Sequence, residues 1–199
     1  MSIPKAKAVE RYTYADYCEW DDDERWELID GVPYAMSAPN RRHQEISGEL
    51  FMQLREYLTG RSCKVYYAPF DVRLNPFEED DTVVQPDLVV ICDSDKLDEK
   101  GCKGAPDLAI EILSPSTARH DRVIKLKRYQ KAGIKEYWMV DPETEITQVC
   151  VLNDESLYVI SGYENAEMIP VHVLSGCEIN MQDVFDLATD NHSTSTSEE

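Results

Sequence analysis

Two short apolar runs constrain this chain more than any other feature: VVQPDLVVIC at residues 83–92 and APDLAIEILSPST at residues 105–117. Both contain Pro-Asp-Leu, and both are rich in branched aliphatic residues. A polar connection, DSDKLDEKGCKGA, lies between them. Runs of this length, bounded by proline and turn residues, read as buried strands. If residues 83–92 and 106–113 pair as antiparallel neighbours about the midpoint of the connection, directly opposed residues carry numbers summing to 198. Asp87 then faces Glu111, and Asp107 faces Ile91. Cross-strand partners share a sheet face with Cβ atoms about 4.5–5.5 Å apart, so two carboxylates converge, while Asp107 stands roughly 13 Å along the strand from Glu111. Like charges so placed repel unless a cation sits between them. Mg²⁺, held by one or two carboxylates, water and a substrate phosphate, is the natural remedy. The alternative is that Glu111 ends an ordinary salt bridge at the sheet rim and Asp87 is a strand-entry residue after Pro86. Spacing by itself does not choose between them.

Local signals place the remaining elements. Thr13 caps a short helix in YTYADYCEW, and Asp30-Gly31 turns a hairpin in RWELIDGVPYAMSAP. Ile46, Leu50, Leu54 and Leu58 make one stripe on a helix that Asn40 caps and Gly60 closes. CKVYYAPFDVRL reads as one strand and NPFEEDDT as an acidic loop. A helix over ARHDRVIKLKRYQKAG is capped by Ser116 or Thr117 and ended by Gly133. On it Asp121, Lys125 and Arg128 form a polar stripe that leans towards the Glu111 strand, while Val123, Leu126 and Tyr129 fall on another face. IKEYWMVDPETEITQVCVL gives two strands about Asp141-Pro142, SLYVISGYE a third, and CEINMQDVFDL ends in a short helix. The fold class is α+β, with a mixed, mostly antiparallel sheet flanked by helices.

A length of 199 residues suits one domain over residues 1–187, followed by a disordered polar tail over 188–199 that ends in NHSTSTSEE. The chain has no run of about eighteen apolar residues and its N-terminus has no signal-peptide core, so a cytoplasmic protein without a membrane partner is expected. The six cysteines are scattered without zinc-ligand spacing and read as reduced thiols. A net charge of −19 counts against non-specific sliding on nucleic acid, which draws affinity from Lys and Arg. The basic residues between Lys96 and Lys135 leave room for a local positive face.

QPDLVVI, AIEILSPST, HDRVIKLKRYQKAGIKEYWMVDP and the earlier WELIDGVPYAMSAPNRRHQEI, together spanning about residues 12–187, resemble the Uma-type family (Uma two). Those are endonucleases of the restriction-endonuclease-like, PD-(D/E)XK superfamily. The resemblance implies a restriction-endonuclease-like core, Asp87 and Glu111 as the motif acids and metal ligands, Mg²⁺ or Mn²⁺ as cofactor, nucleic acid (DNA above all) as substrate, and pairing into a homodimer. It also exposes a departure. The superfamily's lysine stands two residues after the glutamate, where this chain has Leu113; Lys125 on the following helix is the matching candidate, with Lys127 as fallback. Glu27 in WELIDG and His43 in RRHQEI match as well, Glu27 to complete the metal's shell or orient water and His43 to face the scissile phosphate. The residues equally allow Glu27 a salt bridge to Arg25 or another basic neighbour, and His43 a capping or packing role. The implied activity is metal-assisted hydrolysis of a nucleic-acid phosphodiester. The charge and the displaced lysine keep two rivals in view: a non-catalytic nuclease-fold module for nucleic-acid or protein interaction, and a hydrolase of smaller phosphoesters.

Overall fold

The computed structural model describes residues 11–20, 24–76 and 80–186; the tail expected over 188–199 lies outside them. Thr13 and Asp16 cap each other reciprocally and start α1 (Tyr14–Tyr17). β1 (Trp26–Ile29) and β2 (Val32–Ala35) form the expected hairpin, turned by Asp30 and Gly31 with φ of 53° and 72°. Two consecutive positive φ values define the tight turn that matches strand twist, and they explain the Asp-Gly pair. Asn40 accepts the His43 N–H at 2.9 Å and opens α2 (Arg41–Leu58). Its stripe of Ile46, Leu50, Leu54 and Leu58 is buried, and each such side chain contributes about 1.5–3 kcal/mol relative to exposure.

CKVYYAPFDVRL is not one strand, as expected, but two. β3 (Lys64–Tyr67) and β4 (Val72–Arg73) lie in different sheets, and the break falls at Ala68-Pro69, which is cis. Proline has no N–H to give a ladder, so the strand ends there. The first Pro-Asp-Leu run divides in the same way into β5 (Val83–Val84) and β6 (Leu88–Ile91). After β7 (Leu97–Asp98), β8 (Gly101–Lys103) and β9 (Leu108–Ile112), a π-helical turn over His120–Lys125 runs into α3 (Leu126–Ala132). Gly133 stops α3 with φ 81°. β10 (Glu136–Asp141), β11 (Ile146–Leu152), β12 (Tyr158–Tyr163), β13 (Met168–Pro170), β14 (Glu178–Asn180) and α4 (Met181–Asp186) complete the order.

The central sheet runs β12-β11-β10-β9-β6-β3; only β9 and β10 are parallel. A second six-stranded sheet, β2-β1-β5-β4-β8-β7, joins the single sheet that was expected. The fold is thus α+β with mixed sheets flanked by helices. α2 and α4 cover one face of the central sheet with a core that includes Leu88, Leu108 and Trp138. The other face packs Val89, Ala109 and Tyr137 beneath α3 and the second sheet. β6 and β9 pair antiparallel with Leu88 opposite Ile110, Val89 opposite Ala109 and Val90 opposite Leu108, the register expected from the sequence. Among the described residues no helix is long and apolar enough to cross a membrane.

The reading of all cysteines as reduced thiols is corrected for one pair, since Cys63 and Cys92 form a disulfide. Lys64 faces Ile91 in the β3–β6 ladder, so one further step sets the two cysteines opposite each other. Cys18, Cys102, Cys150 and Cys177 are free. The bond closes a sequence separation of 29 residues and ties the edge strand β3 to β6. Cys63→Ser is expected to lower stability by about 2–4 kcal/mol, mainly by freeing the unfolded chain. Urea unfolding reads it: dithiothreitol should lower the wild type by the same amount and leave the variant unchanged, and equal stabilities without reductant would contradict the expectation.

Candidate active site

The β6–β9 register, continued one step, brings Asp87 and Glu111 to one sheet face, and both line a cavity of about 580 Å³. Asp87 directly precedes β6. Its Oδ2 accepts the Ile112 N–H at 2.7 Å and lies 3.2 Å from His43 Nε2. Glu111 lies within β9 and is 5% exposed; its Oε1 accepts from Lys125 Nζ at 2.8 Å and from the Tyr129 hydroxyl at 2.7 Å. Lys125 Nζ also reaches Glu27 Oε1 at 2.8 Å and Asp121 Oδ1 at 3.6 Å. An ammonium this buried is tolerable only because carboxylates surround it.

Lys125, rather than the exposed Lys127, thus occupies the place beside the glutamate. Local geometry explains how a lysine fourteen residues downstream gets there. Ser114 opens the helix: its Oγ accepts the Thr117 N–H at 3.2 Å, and Thr117 Oγ1 accepts the Ser114 N–H at 3.3 Å. Ser114, whose carbonyl also accepts the Ala118 N–H at 2.8 Å, therefore takes the capping role expected of Ser116 or Thr117, just after β9 ends at Ile112. Asp121, Lys125 and Tyr129, at steps of four, would drift round a regular α-helix by about 40° per step. The π-helical turn rotates less per residue and offsets that drift between Asp121 and Lys125, while Tyr129 follows Lys125 by one turn of regular α-helix. Lys125 and Tyr129 both reach Glu111 and Asp121 faces the Lys125 ammonium, which corrects the placing of Tyr129 on a separate apolar face. Val123, placed there with it, is 45% exposed, and Arg128 leaves the stripe for Asp30.

Glu27 takes the salt-bridge option, with Lys125 as its basic neighbour, and its Oε1 also accepts the Gln85 N–H at 2.8 Å. Arg25 goes to the Gln85 side chain. His43 stands against Asp87. His120, which the sequence reading did not single out, packs on Tyr34 with its Nε2 3.8 Å from Glu27 Oε2. No local signal in the sequence marks it.

Electrostatics follow from one surplus. Glu27, Glu111 and Asp121 gather round the ammonium of Lys125, and the charge of Asp87 acts on Glu111 as well. Burial, with the charges of Asp121, Asp87 and Glu27, pushes the Glu111 carboxyl well above its usual range, against the pull of Lys125. Burial works against the Lys125 charge too, yet Glu111, Glu27 and Asp121 outweigh it and hold the ammonium well above its ordinary value. For His43, burial lowers the imidazole, but the hydrogen bond and charge of Asp87 leave it raised; burial and the Lys125 charge lower His120.

Among the described residues no group of three or more His, Cys, Asp and Glu side chains is arranged to hold a metal ion. The donor chemistry fits a cation of another kind, held by two carboxylates with water filling the rest of its shell, as Mg²⁺ usually is. Asp87 and Glu111 are hard oxygen donors on a shared cavity wall, and the local charge surplus favours a cation there.

The family model described as "Uma2: Putative restriction endonuclease" matches residues 13–182. An uncharacterized Synechocystis protein, slr1290, is 25% identical over 157 residues, which make up 77% of this chain and 81% of that protein. The fold is similar to the crystal structure of a protein from Anabaena variabilis titled "a putative nuclease belonging to DUF820", with a TM-score of 0.72 and 19% identity, covering 89% of this chain and 99% of that one.

Proposed function

This chain belongs to the Uma2 family, and from that premise we propose that it is a divalent-metal-dependent nuclease hydrolysing nucleic-acid phosphodiesters, with Asp87 and Glu111 holding the ion. The observation that carries the reading is the single cluster in which the Lys125 ammonium lies 2.8 Å from Glu111 while Asp87 and Glu111 line the same cavity. Mg²⁺ or Mn²⁺, when bound, supplies Lewis-acid polarisation of a phosphoryl oxygen and a lowered pKa for bound water. The chain's own residues do the rest. The Ile112 N–H and His43 orient the Asp87 carboxylate. Glu27 and Asp121 hold the Lys125 ammonium next to Glu111, where it stabilises negative charge developing at the reacting phosphate. Burial keeps those charges from being screened by solvent.

A net charge of −19 supports a second reading, hydrolysis of smaller phosphodiesters, because a long polyanion gains little from so acidic a chain. One assay decides between them. Plasmid DNA, single-stranded DNA and a panel of small phosphodiesters are incubated with the full chain and Mg²⁺ or Mn²⁺, with and without a chelator. The nuclease reading expects both DNAs to be cut only with metal. Turnover of the small esters alone favours the second reading, and no turnover of any substrate removes both.

A further inference from the structure

If Asp87 and Glu111 hold an ion, something must decide which oxygen Glu111 offers to it. Tyr129 is fully buried, and its hydroxyl donates to Glu111 Oε1 at 2.7 Å. Lys125 Nζ donates to the same oxygen at 2.8 Å. Among the described hydrogen bonds none ends on Oε2. Two donors on one oxygen fix the rotation of the carboxylate and leave the lone pairs of the other oxygen uncommitted.

We infer that Tyr129 is a positioning residue: its hydroxyl holds Glu111 Oε1 so that Oε2 is presented to a divalent cation shared with Asp87. The inference rests on the proposed metal site and adds to it the group that orients the ligand. Lys125 alone is poorly suited to the task. It has a flexible stem and a three-donor ammonium divided among Glu27, Glu111 and Asp121. Tyr129 carries its donor on a rigid ring packed edge-on against Tyr137, with centroids 4.9 Å apart and planes at 80°. The neutral O–H also adds a hydrogen bond to the carboxylate without a second positive charge that would repel the ion.

The test is calorimetric titration of Mn²⁺ into chelator-stripped full-length wild type, Tyr129→Phe and Tyr137→Phe. The Tyr137 hydroxyl donates to the Asp121 carbonyl at 3.3 Å, so its removal costs a buried hydroxyl beside the same ring without touching Glu111. Tyr129→Phe is expected to bind Mn²⁺ about 10–100-fold more weakly, as for partners that orient a metal ligand, and Tyr137→Phe as tightly as the wild type. Excess Mn²⁺ should restore the cleavage rate of Tyr129→Phe, which a merely structural defect would not allow. Wild-type affinity in Tyr129→Phe, equal weakening in both variants, or failure of Tyr129→Phe to fold overturns the inference and leaves the metal-site reading standing. A wild type that binds no Mn²⁺ takes that reading down, and the inference with it.

Discussion

In metal-free buffer at pH 8, Lys125→Met should be about 3–5 kcal/mol less stable than the wild type and inactive at any metal concentration. The substitution keeps the length and apolar stem of the side chain and removes only the ammonium. Glu27, Glu111 and Asp121, at 3%, 5% and 2% exposure, are then left without the cation they share. Breaking a buried charge cluster by deleting one sign costs this much because the remaining charges stay desolvated and unpaired. The pH dependence gives the mechanism away. Glu111 and Asp121 already have folded-state pKa values above their ordinary ones, burial being the largest cause, and Lys125 is the charge that pulls both down. Without it they rise further. A group whose folded pKa exceeds its unfolded value favours the fold at low pH and loses that contribution as pH rises through the folded pKa. The deficit of Lys125→Met should therefore shrink from pH 8 to pH 5. Urea unfolding of both proteins at the two pH values checks this, and a deficit that stays constant would contradict it.

Asp87→Asn and Glu111→Gln are each expected to lower metal-dependent cleavage by about 10³-fold or more, the effect of losing several kcal/mol of transition-state stabilisation. Both substitutions preserve shape and acceptor groups. Asn can still accept the Ile112 N–H, and Gln can still accept from Lys125 and Tyr129. Stability should accordingly stay within about 1 kcal/mol of the wild type, so lost activity cannot be laid to lost folding. Initial cleavage rates and urea midpoints, read together, separate the two. Cleavage that survives either change would remove its residue from the chemistry.

What the sequence made legible was chemistry that acts over short distances. Asp30-Gly31, the Asn40 cap and the Gly133 stop follow from backbone preferences of the residues themselves. The β6–β9 register was readable because a connection with a clear midpoint and a carboxylate inside an apolar strand together left one pairing that made sense of Glu111. Other features depend on contacts distant in sequence. The β3–β6 pairing that joins Cys63 to Cys92 crosses a long excursion through the second sheet, so cysteine spacing gave no sign of it. Pro69 is a visible signal that CKVYYAPFDVRL is not one ladder strand, since proline has no N–H to give. Tyr129 follows Lys125 by one turn of regular α-helix, so the helical period already sets the two side by side, and grouping Tyr129 with Val123 and Leu126 by apolar type overlooked that neighbour. In the site, the meeting of Asp87 and Glu111 was legible from spacing and the Asp121–Lys125 stripe from helical period, while Glu27 and the choice of Lys125 came through the family resemblance; Tyr129 and His120 were not legible, since nothing local distinguishes a packing ring from one that reaches a carboxylate.

Crystals soaked in Mn²⁺, with anomalous difference density measured at the cavity, decide whether Asp87 and Glu111 share an ion. A peak within coordination distance of both Asp87 and Glu111, absent from Glu111→Gln crystals, is the predicted result. A cavity wall free of density between those two acids, at Mn²⁺ concentrations that support cleavage, would contradict it.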